Sequence, residues 1–258
     1  MTESYAEKKA RFDRMLTLFG RKPVLEALMT NAATPVCLHL ADTNRPSAEL
    51  GQLQSLAIER GADVKIHSRE ALSRISKNRR QDQGVALDLS LPHYVPSSTL
   101  ARSTITRGLI AVDGVTNPQN LGMIIRSVGA SPLDGILLAS SGNARVDGLV
   151  VKASAGTIFR TPIYFCEQLH PALVRLGAEG CRIYGLDAGG TCSILDVPPS
   201  GPQVFVLGNE TSGLSSNIRA LCDDFVSIPL ANGIESLNVS VAAALVAFRG
   251  LFAAGEHG

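Results

Sequence analysis

Three short stretches concentrate amides, hydroxyls, carboxylates and glycines between apolar runs: "TNPQNLGMIIR" (116–126), "LGNETSGLS" (207–215) and "IPLANGIESLNVS" (228–240). The first offers Asn117, Asn120 and Arg126, the second Gly208, Asn209, Glu210 and Gly213, the third Ser236 and Asn238. Such residue types suit orientation rather than nucleophilic attack. Asn and Ser supply neutral hydrogen bonds that align a hydroxyl or another side chain. Glycines let backbone approach a ligand closely. Arg126, in the apolar company of Ile124, Ile125 and Val128, needs an anion or a cluster of acceptors, and it follows Asn120 near the same helix face. Each feature also has a structural reading. Asn117 and Asn120 could form an Asx turn and a helix cap, Gly208 to Gly213 a simple strand-to-helix turn, Ser236 an N-cap, and Arg126 a partner for Glu210.

Three such stretches act together only if the chain brings them to one place. The second half alternates continuous apolar runs, "LIAVDGV", "GILLAS", "CRIYGLDA", "QVFVLG" and "FVSIPL", with helical segments, "NLGMIIRSVGA", "LHPALVRLGAEG" and "SSNIRALC". That alternation predicts a largely parallel sheet covered on both faces. Ligands of such sheets sit at the carboxyl ends of the strands, where all three polar stretches begin. From Leu237 to Phe252 the last segment is apolar almost all round, with Leu237, Val241, Leu245 and Phe248 on one side and Val239, Ala243 and Val246 on the other, so both sides require burial.

The first half reads as a smaller α/β unit. Strands are expected at "PVCLHLA", "DVKIH" and "GVALDL", with a helix over "SAELGQLQSLAIERG" that Ser47 caps and Gly61 ends. Residues 93–106 read as a linker, which sets domains at 1–92 and 107–258. The formal net charge of +1 conceals an asymmetry: 15 Lys and Arg against 11 Asp and Glu in residues 1–106, and 9 against 12 in residues 107–258. A basic front half fits a polyanion partner. Arg21, Lys22, Lys77, Arg79 and Arg80 carry it in two clusters.

Other chemistries lack their residues. No G-x-G-x-x-G, G-x-x-x-x-G-K-[ST] or G-x-S-x-G occurs. The five cysteines (Cys37, Cys166, Cys181, Cys192, Cys222) include no C-x-x-C pair, and the histidines (His39, His67, His93, His170, His257) have no ligand spacing, so neither a disulfide framework nor a metal is expected. No apolar run reaches membrane-spanning length, and the N-terminus is charged, so a cytoplasmic location is expected.

In order and spacing, "TNPQNLGMIIRSVGA", "VFVLGNETSGLS" and "IPLANGIESLNVSVAAAL" resemble the three motifs of the SpoU (TrmH-type) RNA ribose 2′-O-methyltransferases, of the SPOUT superfamily. "VKASAGTIFRTPI" resembles the family's connecting segment. "LFGRKPVLEAL" through "DQGVALDL" is similar to the ribosomal-protein-like substrate-binding domain of many members. The resemblance covers residues 16–252. It implies a SPOUT domain with a C-terminal trefoil knot, preceded by a small α/β RNA-binding domain, and S-adenosylmethionine as cofactor. Its cofactor positions fall on Leu207, Gly208, Asn209, Gly213, Ile228, Leu230, Ser236 and Leu237. Its catalytic positions fall on Asn120, Arg126, Glu210, Ser236 and Asn238. The partners it implies are RNA, with ribosomal RNA favoured and tRNA the alternative, and a second copy of the chain. The rival is an RNA-binding protein that keeps the fold without the chemistry. Asn117 stands where Asp is frequent, Asp82 where His often precedes Gln-Gly, and Thr211-Ser212 is an unusual filler of the second motif.

Overall fold

The computed structural model describes residues 15–91 and 93–254. The charged N-terminal stretch, Pro92, His257 and the Phe252 side chain lie outside the described residues. The chain divides into two compact units, residues 1–94 with 146–152, and residues 95–145 with 153–258.

In the first unit, β1 (Met15–Phe19), β2 (Thr34–Ala41), β3 (Asp63–His67) and β4 (Val85–Ser90) form one sheet in the order β1-β4-β2-β3. Strands β1 and β2 run antiparallel to β4, and β3 runs parallel to β2. The helices are α1 (Arg21–Met29), α2 (Ala48–Glu59) and α3 (Arg69–Ser76). Helix α2 starts where the Ser47 hydroxyl accepts from the Leu50 amide at 3.3 Å and ends before Gly61, whose φ of 75° suits a residue without a Cβ. Asp82 is fully buried. Its carboxylate accepts from the Arg69 guanidinium, from Ser76 Oγ at 2.8 Å and from the Gly84 amide at 3.0 Å. The departure from the family pattern at Asp82 thus has an occupation inside the fold, pinning the loop that carries Lys77, Arg79 and Arg80. Those three side chains are exposed.

The second unit centres on an eight-stranded sheet: β5 (Tyr94–Pro96), β6 (Leu109–Val112), β7 (Gly135–Ala139), β8 (Ile163–Cys166), β9 (Arg182–Leu186), β10 (Cys192–Ser193), β11 (Gln203–Leu207) and β12 (Asp224–Ser227), in the order β10-β12-β9-β11-β6-β7-β8-β5. From β10 to β8 every adjacent pair is parallel. Strands β6, β7 and β11 are buried along their whole length, as continuous apolar runs at the centre of a doubly covered sheet must be. The helices of this unit are α4 (Pro118–Gly129), α6 (Leu169–Ala178), α7 (Ser216–Arg219) and α8 (Val239–Ala254), while α5 (Gly148–Ala153) belongs, but for its last residue, to the first unit. The segment read as a linker is folded: Leu100 and Ile105 are 2% and 3% exposed in the core of this unit, and Arg175 donates to the carbonyls of Ser97 and Leu100. The helix expected over 215–222 is a single turn.

Helix α8 packs against α4 and buries Val239, Ala243, Val246 and Ala247. Its other side leaves Val241 48% and Leu245 39% exposed. Near its C-terminal end Arg249 is 8% exposed, with its guanidinium 4.1 Å above the Phe205 ring. It donates to the carbonyls of Val246 and Pro198, and burial pulls its pKa down to about 10.

Candidate active site

Because these strands run in parallel, the loops after β6, β9, β11 and β12 emerge at one edge of the sheet. The first loop is braced by polar side chains. Asn143 donates to the carbonyls of Val112 and Ala139 and accepts from the Val115 amide. Asp113 accepts from both the amide and the hydroxyl of Ser215 at 2.7 Å, which ties the first loop to the second. Asn117 caps α4, accepting from the Gln119 amide at 2.9 Å, with Pro118 in the first turn. Asn120 does something else.

The Asn120 side chain is 6% exposed, donates through Nδ2 to Glu210 Oε1 and accepts through Oδ1 from Asn238 Nδ2 at 3.2 Å. Asn238 Oδ1 in turn accepts from the amide and hydroxyl of Ser240, at 2.8 and 2.6 Å, at the start of α8. Chemistry fixes the direction of the whole chain. A carboxylate only accepts, so Asn120 presents its NH₂ to Glu210; its carbonyl must then take the NH₂ of Asn238, whose carbonyl is left for Ser240. One side chain from each of the three polar stretches is joined in a single line.

The second loop folds around Asn209. Its side chain donates to Gly114 O at 2.7 Å and accepts from the amides of Thr211 and Ser212, while its backbone pairs with Gly213 in both directions. Gly213 has φ 67°, and a Cβ on Gly208 would lie 2.4 Å from Gly213 C. A side chain at 208 requires the loop to move, and the positive φ at 213 favours glycine.

These loops enclose a cavity of about 250 Å³ lined by Leu207, Gly208, Asn209, Glu210 and Gly213 of the second stretch, Ile228, Leu230, Glu235, Ser236 and Leu237 of the third, and Val239 and Ala242 of α8. Every residue read as a cofactor contact is on that wall, and so is Glu210. Three further lining residues, Leu186, Asp187 and Ala188, come from the end of β9 and were missed by sequence reasoning. Their signal was the polar, glycine-rich turn "LDAGG" after a strand. Its place in the site depends on β9 lying between β11 and β12. Arg219 and the Gly189 amide hold the Asp187 carboxyl below the usual carboxylate range. Among the described residues no group of three or more His, Cys, Asp or Glu side chains could hold a metal ion.

Residues 108–248 match the SpoU rRNA Methylase family, and residues 17–95 match the RNA 2′-O ribose methyltransferase substrate-binding family. The chain belongs to the SpoU family. An uncharacterized tRNA/rRNA methyltransferase of Mycobacterium ulcerans (strain Agy99) is 36% identical over 241 residues, 92% of this chain and 77% of that one. The SpoU methyltransferase AviRb from Streptomyces viridochromogenes, solved in complex with the cofactor AdoMet, shares the fold with a TM-score of 0.66 at 23% identity, covering 97% of this chain and 94% of that one. A putative RNA methyltransferase of the TrmH family from Porphyromonas gingivalis does so with a TM-score of 0.65 at 23% identity, covering 97% and 98%.

One candidate of this SpoU chain lies away from the others. Arg126 is exposed, has no side-chain hydrogen bond or ion pair with any described residue, and is not on the cavity wall. The expectation that it shares a face with Asn120 is corrected: six residues at about 100° each place it roughly a third of a turn away. It falls instead on the exposed row of α4 with Gln119, Met123 and Ala130. Nor does it pair with Glu210, which Asn120 occupies. Being exposed, its guanidinium is solvated and needs no acceptor cluster.

Proposed function

We propose that this SpoU-family protein methylates the 2′-oxygen of a ribose in structured RNA, ribosomal RNA above all, with S-adenosylmethionine as donor. The observation that carries the proposal is the line Asn238–Asn120–Glu210, fixed by its own hydrogen bonds and reaching the wall of the cleft at Glu210. The cleft fits that cofactor in kind. Leu207, Val226, Ile228, Leu230 and Leu237 supply apolar surface for a purine, and the glycine at 208 keeps backbone amides and carbonyls within reach of its edge. When bound, the cofactor supplies an electrophilic methyl on a sulfonium.

The protein's part is positioning. Asn120 and Asn238 hold each other and Glu210 in one geometry, and Ser236, which lines the cleft, offers a hydroxyl to an entering ribose. A guanidinium keeps its proton, so Arg126, exposed on α4, acts by gripping an RNA phosphate and so positions the ribose. The exposed Lys77, Arg79 and Arg80 of the first unit engage backbone phosphates. A second copy of the chain covers the apolar side of α8. Met123 on α4 is also exposed, at 40%, and adds a further uncovered apolar side chain to this unit. The knotted path implied by the sequence resemblance is part of the same proposal.

The test is methyl transfer from labelled S-adenosylmethionine to RNA from cells that lack the gene, followed by mapping of the product. Label on a ribose 2′-oxygen supports the reading. Label on a base refutes it, and cofactor binding without transfer to any cellular RNA favours the silent RNA-binding protein.

A further inference from the structure

Charge of one sign lines the cleft. Among the residues on its wall Asp187, Glu210 and Glu235 are acidic, and none is lysine, arginine or histidine. Arg219 neutralises part of this from behind, since it pairs with Asp187 while stacking 4.2 Å above the Phe225 ring and is not itself on the wall. Glu210 faces the neutral amide of Asn120. Glu235 is exposed and pairs with no cation among the described residues. The remaining wall is aliphatic or glycine apart from Asn209 and Ser236.

Resting on the reading that S-adenosylmethionine is the donor, this has a consequence for the product. Transfer breaks the bond from sulfur to the methyl carbon and leaves the electron pair on sulfur, while the ribose oxygen gains the methyl and gives up its proton. The cofactor thereby passes from a sulfonium to a thioether, losing one methyl and one unit of positive charge. Its amino-acid portion is a zwitterion before and after. Aliphatic walls respond weakly to one methyl, whereas the wall carboxylates respond to the charge, with solvent screening the exposed Glu210 and Glu235 in part. We infer that the acidic lining of this cleft binds the sulfonium form in preference to the thioether, so that methyl transfer itself loosens the hold on the spent cofactor. Asp187 and Glu235 are then specificity-determining residues that need not touch the reacting atoms.

Calorimetric titration of the full chain with S-adenosylmethionine and with S-adenosylhomocysteine, without RNA, tests this. The methylated form is expected to bind up to about fivefold tighter, the upper end of what one partly screened charge interaction supports. Rising salt is expected to shrink the gap by weakening only the charged ligand. Glu235→Gln and Asp187→Asn should each reduce the preference towards parity, while affinity for the thioether stays within about twofold. Glu235 is exposed, so its variant is expected to fold even if loss of the Arg219 pair harms the other. Equal affinities in the wild type, or variants that weaken both ligands alike, overturn the inference and leave the cofactor reading standing. Failure to bind either ligand overturns the cofactor reading itself.

Discussion

Replacing Asn120 by Asp changes one side-chain group and tests the geometry of the site without reference to function. In the wild type the Asn120 amide donates to the Glu210 carboxylate. The variant removes the donor and sets two carboxylates at hydrogen-bond distance. Two unit charges about 4 Å apart repel by about 4 kcal/mol at an effective dielectric of about 20. Glu210 is exposed, and solvent screening reduces that to about 1–2 kcal/mol. Losing the hydrogen bond adds about 1 kcal/mol, so at neutral pH Asn120→Asp should be less stable than the wild type by about 2–3 kcal/mol. The repulsive share depends on pH. The folded variant relieves it by holding one proton between the two carboxylates, which the unfolded chain, with the groups apart, releases in the usual carboxylate range. Above that range the folded state binds more protons, and stability relative to the wild type falls as pH rises. Urea denaturation of both proteins between about pH 4 and pH 8 measures the difference, which should narrow by about 1–2 kcal/mol at the acid end. A difference constant across that range refutes the pairing of Asn120 with Glu210.

Gly208→Ala places a Cβ 2.4 Å from Gly213 C; it should cost about 1–3 kcal/mol and weaken S-adenosylmethionine binding more than tenfold by calorimetry, and wild-type affinity would contradict the packing of the second loop. Val241→Glu with Leu245→Glu should convert a dimer to a folded monomer by sedimentation velocity, whereas an unchanged association state argues against α8 as the interface. Arg249→Met keeps the stem over Phe205 and removes a charge that burial disfavours, so it should remain within about 1 kcal/mol of the wild type. Arg249→Ala should lose about 2–4 kcal/mol by leaving a cavity; equal losses for the two would show that the guanidinium contacts dominate. Arg126→Lys, which cannot reproduce a planar fork, should abolish methyl transfer with cofactor affinity unchanged, and near-normal turnover at saturating RNA would remove the role proposed for it.

The legible parts of this molecule are those whose cause is local. Runs such as "QVFVL" announce buried strands because both faces are apolar, and Ser47 and Gly61 bound α2 because capping is decided within a few residues. The motif stretches place Leu207, Gly208 and Ile228 on one wall because each lies at, or directly after, a strand end. Sequence could not say which asparagine of "NPQN" caps and which reaches outward, since Asn120 finds its partners 90 and 118 positions away. It could not place Asp187, because the insertion of β9 between β11 and β12 is a matter of strand order. It misjudged Arg126 because apolar neighbours in sequence need not be neighbours around a helix. Residues 93–106 read as a linker through Pro96 and their hydroxyls, although Leu100 and Ile105 supplied two anchors for the core.

The line from Asn238 through Asn120 to Glu210 also sets an order of events in time. Its members are made near mid-chain, late and nearly last, and the cleft acquires its final wall only when α8 arrives. A growing chain has made every residue of the first unit once it passes position 152, well before α8 emerges. If the first unit selects the RNA, as proposed, synthesis delivers the capacity to bind ahead of the capacity to act. A chain cut short by even the last helix should compete with its full-length sibling for the same partner while contributing nothing in return.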